Sequence, residues 1–166
     1  MMARARSSRW LWLVAVVLAA DRAIKYAIER TSDGFRRELV PGLAWLVHST
    51  NPGIAFGFFA SATDRWIAIL LIAASSCVVF LLVWLLATGH AGAEPAQIGL
   101  ALIAGGAAGN LLDRMMRGGV TDFLELHAGR FEWPAFNLAD SAITIGALLV
   151  LYEVLRSGRE QSGESA

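Results

Sequence analysis

The sequence predicts an all-α integral membrane protein with four transmembrane helices. Three observations point that way. The 166 residues are 56% hydrophobic, above the roughly 45–50% usual for soluble domains, and the mean hydropathy is +0.54. Charged residues make up only 17% of the chain and are bunched into short polar stretches. Between these stretches lie four mostly apolar runs, each near the roughly 20 residues that a helix needs to cross the hydrocarbon core.

The first run covers about 10–28 and opens as WLWLVAVVLAA. Its arginine-rich start and Leu18-Ala19-Ala20 also resemble a cleavable secretory signal. The run continues in helical phase through Asp21 and Lys25, however, so it reads as a retained span. The next segment, 29–65, is too long for a simple connector. Its stretch VPGLAWLVHSTNPGIAFGFF mixes apolar residues with turn formers, which marks it for short strands or an interfacial helix on the outer side. The second run, about 66–87, has no charge in its interior. The third, about 95–116, is rich in Gly and Ala, and Gly105 and Gly109 form a small-xxx-small face that lets helices approach closely. A second outer segment, 117–135, leads to the fourth run at about 136–155. The tail at 157–166, SGREQSGESA, reads as disordered. Backbone polar groups in lipid must be satisfied internally, which favours helices, and the alternation of a membrane barrel strand is absent. The chain reads as one membrane domain without repeats.

Arg4, Arg6 and Arg9 precede the first run, and Arg156 and Arg159 follow the fourth. The positive-inside rule then places both termini in the cytoplasm. Arg30, Arg36, Arg37 and Arg65 in the first outer segment count against this, but the arginines abutting the first span usually dominate. Lys plus Arg and Asp plus Glu balance at 14 each, so no basic field for nucleic acid exists. Cys77 stands alone, which excludes an intrachain disulfide and a cysteine metal cluster.

Ionisable residues in or near spans are costly and usually face the protein interior or water. Here they gather at the outer ends of the spans. Asp21 and Lys25 are four apart and share one helix face, as a structural ion pair or as substrate contacts. Asn110, Asp113, Arg114 and Arg117 fall on roughly one side of the third run, which calls for a polar pocket. Asp122 follows Gly118-Gly119, where a turn is expected. Asp140 sits in PAFNLADSAIT at the start of the fourth run, with Asn137 placed to cap that helix. A hairpin of the third and fourth spans would bring Asp122 and Asp140 together at the outer membrane edge. Two adjacent carboxylates in a partly dry site tend to share one proton. One can then polarise a carbonyl while the other activates water, so the pair points to an aspartic peptidase. HExxH, GxSxG and a Gly-rich phosphate loop are absent. The weak metal arrangement on offer joins two carboxylates with His127, and no metal or cofactor is expected.

The ordered motifs DRAIK at 21–25, N-x-G-x-A-F-G at 51–57, GNLLDR at 109–114, VTDF at 120–123 and FNLADS at 136–141 resemble those of the bacterial lipoprotein signal peptidases, the signal peptidase II family. The resemblance spans almost the whole chain. It implies that Asp122 and Asp140 are the catalytic dyad. It further implies that Asn51, Gly53, Asn110, Arg114 and Asn137 line the site or hold substrate, with Asp21, Lys25 and Asp113 supporting them. The family removes the signal peptide of prolipoproteins next to a cysteine already carrying diacylglycerol. The implied setting is the bacterial inner membrane, with the active site near the extracytoplasmic face, membrane lipids around it and the enzyme working as a monomer. Trp45, Phe56, Phe58 and Phe59 would then sit at the interface. The chain departs from the family pattern at Arg22, where Gln is usual, and at Thr121, where an apolar residue is frequent. A proton- or ion-coupled transporter would need ionisable residues deep in several spans, and the second run has none. A non-catalytic scaffold would leave the ordered motifs unexplained, and the GxGD signature of other intramembrane aspartic peptidases is missing.

Overall fold

The computed structural model describes residues 8–52 and 65–163. Helix α1 is Leu11–Ile28, followed by strands β1, Arg36–Val40, and β2, Ala44–Asn51. Helices α2, Arg65–Thr88, and α3, Glu94–Arg117, come next. Strands β3, Val120–Ala128, and β4, Phe131–Phe136, lead into helix α4, Leu138–Gly163. Among the described residues three helical segments, Trp66–Thr88, Glu94–Arg117 and Leu138–Arg159, are long and apolar enough to cross a membrane. Helix α1 has 18 residues and carries Asp21, Arg22 and Lys25, so its composition alone falls short of the other three.

Helix α3 is the centre of the bundle and packs against α1, α2 and α4. Its glycines make this possible. A Cβ on Gly105 would lie 2.7 Å from the Val17 Cβ, and one on Gly109 would lie 2.6 Å from Asp21 Oδ2. Both distances are far inside van der Waals contact, so α1 can reach α3 only where no side chain stands. The Gly105–Gly109 face anticipated from sequence is the α1 contact. On the other flank, a Cβ on Gly99 would lie 2.6 Å from the Gly146 carbonyl oxygen, so α3 and α4 cross backbone to backbone. Helix α2 is apolar all round and largely exposed, as suits a lipid-facing helix.

The four strands form one antiparallel sheet in the order β1-β2-β3-β4. Sequence reading placed candidate strands only in the segment 29–65. The segment 117–135 also forms a hairpin, turning through Gly129 at φ +64° in a two-residue connection between Ala128 and Phe131, as tight hairpins require. Gly118, at φ +76°, caps α3 with its N–H on the Arg114 carbonyl. Gly119 then lets β3 close on β2, since a Cβ there would lie 2.9 Å from Thr50 Cγ2. The two adjacent glycines thus do different work. Helix α4 continues through Gly163, into the tail expected to be disordered. Once a long helix is nucleated, extending it through Arg, Glu and Gln is inexpensive.

Candidate active site

The floor of the site is a buried charge cluster. Val17, Asp21, Lys25 and Ile28 form the buried face of α1, and Asp21, Lys25 and Asp113 have no exposed surface. Lys25 Nζ lies 2.8 Å from Asp21 Oδ2 and 2.9 Å from Asp113 Oδ2, and it donates to Asn110 Oδ1 at 2.9 Å. The ammonium thus makes one hydrogen bond, to Asn110, and is held between the two carboxylates as an ion pair with each. Asp21 Oδ1 accepts the Ala139 N–H at 3.0 Å, tying α1 to the first turn of α4. Buried ions are tolerated when paired and hydrogen-bonded in this way. Of the two sequence readings for Asp21 and Lys25, the geometry matches the structural ion pair.

Asn110 passes this order upward. With its oxygen held by Lys25, its Nδ2 donates to Asp140 Oδ1 at 2.8 Å. Asn137 does the same between the two acids. It is the residue before α4, and its Oδ1 accepts the Asp140 N–H at 2.9 Å while its own N–H donates to Asp140 Oδ2 at 3.3 Å. This reciprocal pair is a capping box with Asp in place of the usual Glu. The remaining Asn137 group, Nδ2, donates to Asp122 Oδ1 at 2.7 Å. Asn51 Nδ2 reaches the other oxygen, Asp122 Oδ2, at 3.3 Å. One cap residue therefore links both acids, and three amides hold the pair.

Strand pairing delivers Asp122. On β2, Ser49 stands opposite Asp122 and Asn51 opposite Val120, so β2 and β3 carry Asn51 and Asp122 to the same end of the sheet. Asp122 is 4% exposed, whereas Asp140 is half-buried. Burial first, and then the neighbouring Asp140 charge, push the Asp122 carboxyl up to about 6, against hydrogen bonds from Asn137 and Asn51 that favour its ionised form. Arg114, half-buried on α3, faces Asp140, Asp113 and Asp122 and donates to the Asn110 carbonyl at 3.2 Å. Asp140 also lines a cavity of about 360 Å³ formed with Leu126, Trp133, Phe136, Ser141, Thr144 and Ile145. A carboxyl thus opens onto a mostly apolar pocket beside a helix of the bundle.

The structure gathers Asn51, Asn110, Arg114, Asp122, Asn137 and Asp140 in one site, with Asp21, Lys25 and Asp113 behind it. Gly53 lies outside the described residues, as do Phe56, Phe58 and Phe59. Trp45 is half-buried under the Arg36 guanidinium, 4.6 Å from its ring centre. His127 is not with the pair. It sits at the far end of β3, with Nε2 2.7 Å from Glu125 and 3.1 Å from Arg36 Nη2, and Glu132 nearby. Among the described residues these three could hold a metal, but the Arg36 guanidinium already supplies the positive charge there. Sequence reading missed Glu29. Its carboxylate is 3% exposed and pairs with Arg22 at 2.6 Å and with Arg117. The available signal was the separation of Arg22 and Glu29 by seven residues, which puts them on one helix face.

The model of the family described as "Signal peptidase (SPase) II" matches residues 13–156. Lipoprotein signal peptidase from Solibacter usitatus (strain Ellin6076) is 37% identical over 92% of this chain and 94% of its own. That from Azoarcus sp. (strain BH72) is 42% identical over 92% and 85%. The Polynucleobacter necessarius protein of the same name is 39% identical over 95% of each chain. A solved bacterial membrane enzyme superposes with a TM-score of 0.79 at 24% identity, covering 90% of this chain and 89% of that one.

Proposed function

This chain belongs to the signal peptidase II family, and on that premise we propose that Asp122 and Asp140 are its catalytic dyad. As a member, it is a membrane aspartic peptidase that removes signal peptides from prolipoproteins. The observation that carries the assignment is the Asn137 bridge, in which one side chain hydrogen-bonds Asp122 and fixes the first turn that holds Asp140. Asp140 also opens onto the cavity beside α4.

The chemistry follows from the electrostatics. Two carboxylates in a largely desolvated site share one proton, and they titrate as a pair. The ionised member takes a proton from water as its oxygen attacks the scissile carbonyl. The protonated member gives its proton to the carbonyl oxygen. On collapse the pair gives one proton to the departing amide nitrogen and takes one back from a hydroxyl of the tetrahedral intermediate, so it ends with the single proton it began with. Asn110, Asn137 and Asn51 donate N–H groups to the acids, which holds them in place without reorganisation during the reaction. Arg114 offsets the negative charge. Asn51, Asn110, Arg114 and Asn137 line or hold the substrate region, and Asp21, Lys25 and Asp113 brace it from below.

The bond cleaved lies on the N-terminal side of a cysteine carrying diacylglycerol. An apolar cavity beside Asp140 supports this reading, because a lipid-anchored substrate must reach the acids sideways through the bilayer. In the membrane, α1 completes a set of four spans, its charged face turned to α3 and α4. Both termini face the cytoplasm of a bacterial inner membrane, the sheet and the dyad lie at the extracytoplasmic face, and the enzyme works as a monomer among lipids. Purified protein in detergent with a diacylated prolipoprotein tests the dyad. Asp122→Asn and Asp140→Asn should each abolish cleavage and still fold. Cleavage by either at near parental rate refutes the assignment, and equal cleavage of unlipidated precursor refutes the substrate.

A further inference from the structure

We infer that Glu29, Arg22 and Thr121 form a clamp that positions Asp122 for the reaction, a role that rests on the dyad reading above. The clamp begins where α1 ends. Glu29 is the residue just past α1, and its backbone N–H still donates to the Lys25 carbonyl, so its place is set by the helix. Its side chain turns inward and is 3% exposed. One carboxylate oxygen, Oε2, takes Arg22 at 2.6 Å and also Arg117. The other, Oε1, accepts the Thr121 hydroxyl at 3.2 Å.

Arg22 has a second partner. Its Nη1 pairs with Asp113 Oδ1, and Asp113 Oδ2 accepts the Thr121 backbone N–H at 3.2 Å. Thr121, 2% exposed, is therefore held at two points, its hydroxyl by Glu29 and its backbone by Asp113. A single guanidinium bridges those two acids. The end of α1 and the helix α3 thus close on one residue of β3.

That residue is the neighbour of Asp122. In a strand, adjacent side chains point to opposite faces, so fixing Thr121 on one face fixes the direction in which Asp122 leaves the other. The Asn137–Asp122 bond at 2.7 Å then needs no search by the strand. A charge cluster serving only to join helix ends would need Arg22, Arg117 and the two acids. It would not need a hydroxyl on the strand. Glu29 and Arg22 do not reach the reacting atoms, so they act as positioning residues through Thr121.

The test uses the full chain in detergent, with cleavage of a lipidated prolipoprotein measured per folded enzyme. Thr121→Val keeps shape and removes the hydroxyl. It should lower kcat about 10- to 100-fold, the scale set by sub-ångström misplacement of a reacting group, with KM within about twofold. Thr121→Ser should restore kcat to within a few-fold of the parent. The pH profile of kcat should also move in Thr121→Val. Asp122 faces Asp140 from α4, Lys25 from α1 and Arg114 from α3, and its displacement alters all three interactions. Glu29→Gln reads the clamp from its other end and carries the test should Thr121→Val not fold. It should lower kcat in the same direction, and its loss should not add to that of Thr121→Val in the double variant. Parental kcat with an unmoved pH profile in a folded Thr121→Val or Glu29→Gln overturns the clamp, and so does failure of Thr121→Ser to rescue. Cleavage by Asp122→Asn would instead overturn the dyad itself, so the two failures are told apart.

Discussion

Replacing Asp122 by asparagine should end cleavage and, at neutral pH, make the fold more stable. Its carboxyl is raised from the ordinary 3.8 to about 6, chiefly by burial. In the window between those values the unfolded chain has already lost the proton while the folded chain keeps it. The folded state binds more protons there, so its stability falls as pH rises through the window and stays lower above it. A rise from 3.8 to about 6 corresponds to about 3 kcal/mol at neutral pH. Asparagine carries no charge and avoids that cost. It does, however, turn an N–H group toward a donor that Asp122 had accepted, a pH-independent loss of about 1 kcal/mol. The variant should therefore gain about 2 kcal/mol over the parent near pH 7.5 and be no more stable than the parent near pH 4. Unfolding in detergent, followed by the fluorescence of the six tryptophans, measures the gap at both values. A gap that is independent of pH, or a parent that is the more stable at pH 7.5, would refute the argument that Asp122 is an acid held at a cost to the fold.

Lys25→Met should cost about 3–5 kcal/mol, because it leaves the buried Asp21 with no cation and Asp113 with Arg22 alone. Reduced yield and early unfolding in detergent would show it, and parental stability would count against the buried triad. Gly99→Ala should cost about 1–3 kcal/mol, since its methyl would press on the Gly146 carbonyl, and the same unfolding measurement checks it. Asn137→Ala removes both the α4 cap and the link to Asp122, so kcat should fall by at least about 10-fold in a protein that still folds. A chelator should leave cleavage unchanged: the pair is ringed by amide N–H donors, Lys25 and Arg114, a surrounding that opposes a bound cation. Activity lost to the chelator and restored by a divalent metal would reverse that view.

The helices were legible because lipid solvates no backbone, so span length shows directly in the apolar runs. Leu11–Ile28 and Glu94–Arg117 fall within a residue or so of the runs expected at 10–28 and 95–116. The local settings of the two acids were legible too, since Gly118-Gly119 announced a turn before Asp122 and Asn137 a cap before Asp140. The sheet was only half visible. Strand β3 begins VTDF with four consecutive buried residues, so the alternation that marks a one-sided strand is missing at the end that matters. Glu29 was hidden for another reason. A carboxylate after a helix end in sequence is usually solvated, and only the arrival of Arg117 and Thr121 from about ninety residues away buries it. Arg22 and Thr121, the two departures from the family pattern, were read as separate oddities. In the fold they meet at that one carboxylate.

The buried cluster on α1 also bears on how the protein is made. On the four-span reading proposed above, α1 carries three charges, Asp21, Arg22 and Lys25, into a bilayer before α3 has been made to receive them. Its own sequence supplies interim partners: Asp21 for Lys25 one turn away, and Glu29 for Arg22 two turns away. Both cations can thus travel as neutral pairs. When α3 follows, Asp113 takes hold of both cations at once, and α1 can then no longer readily leave its neighbours. The order of synthesis is written into the order of the charges.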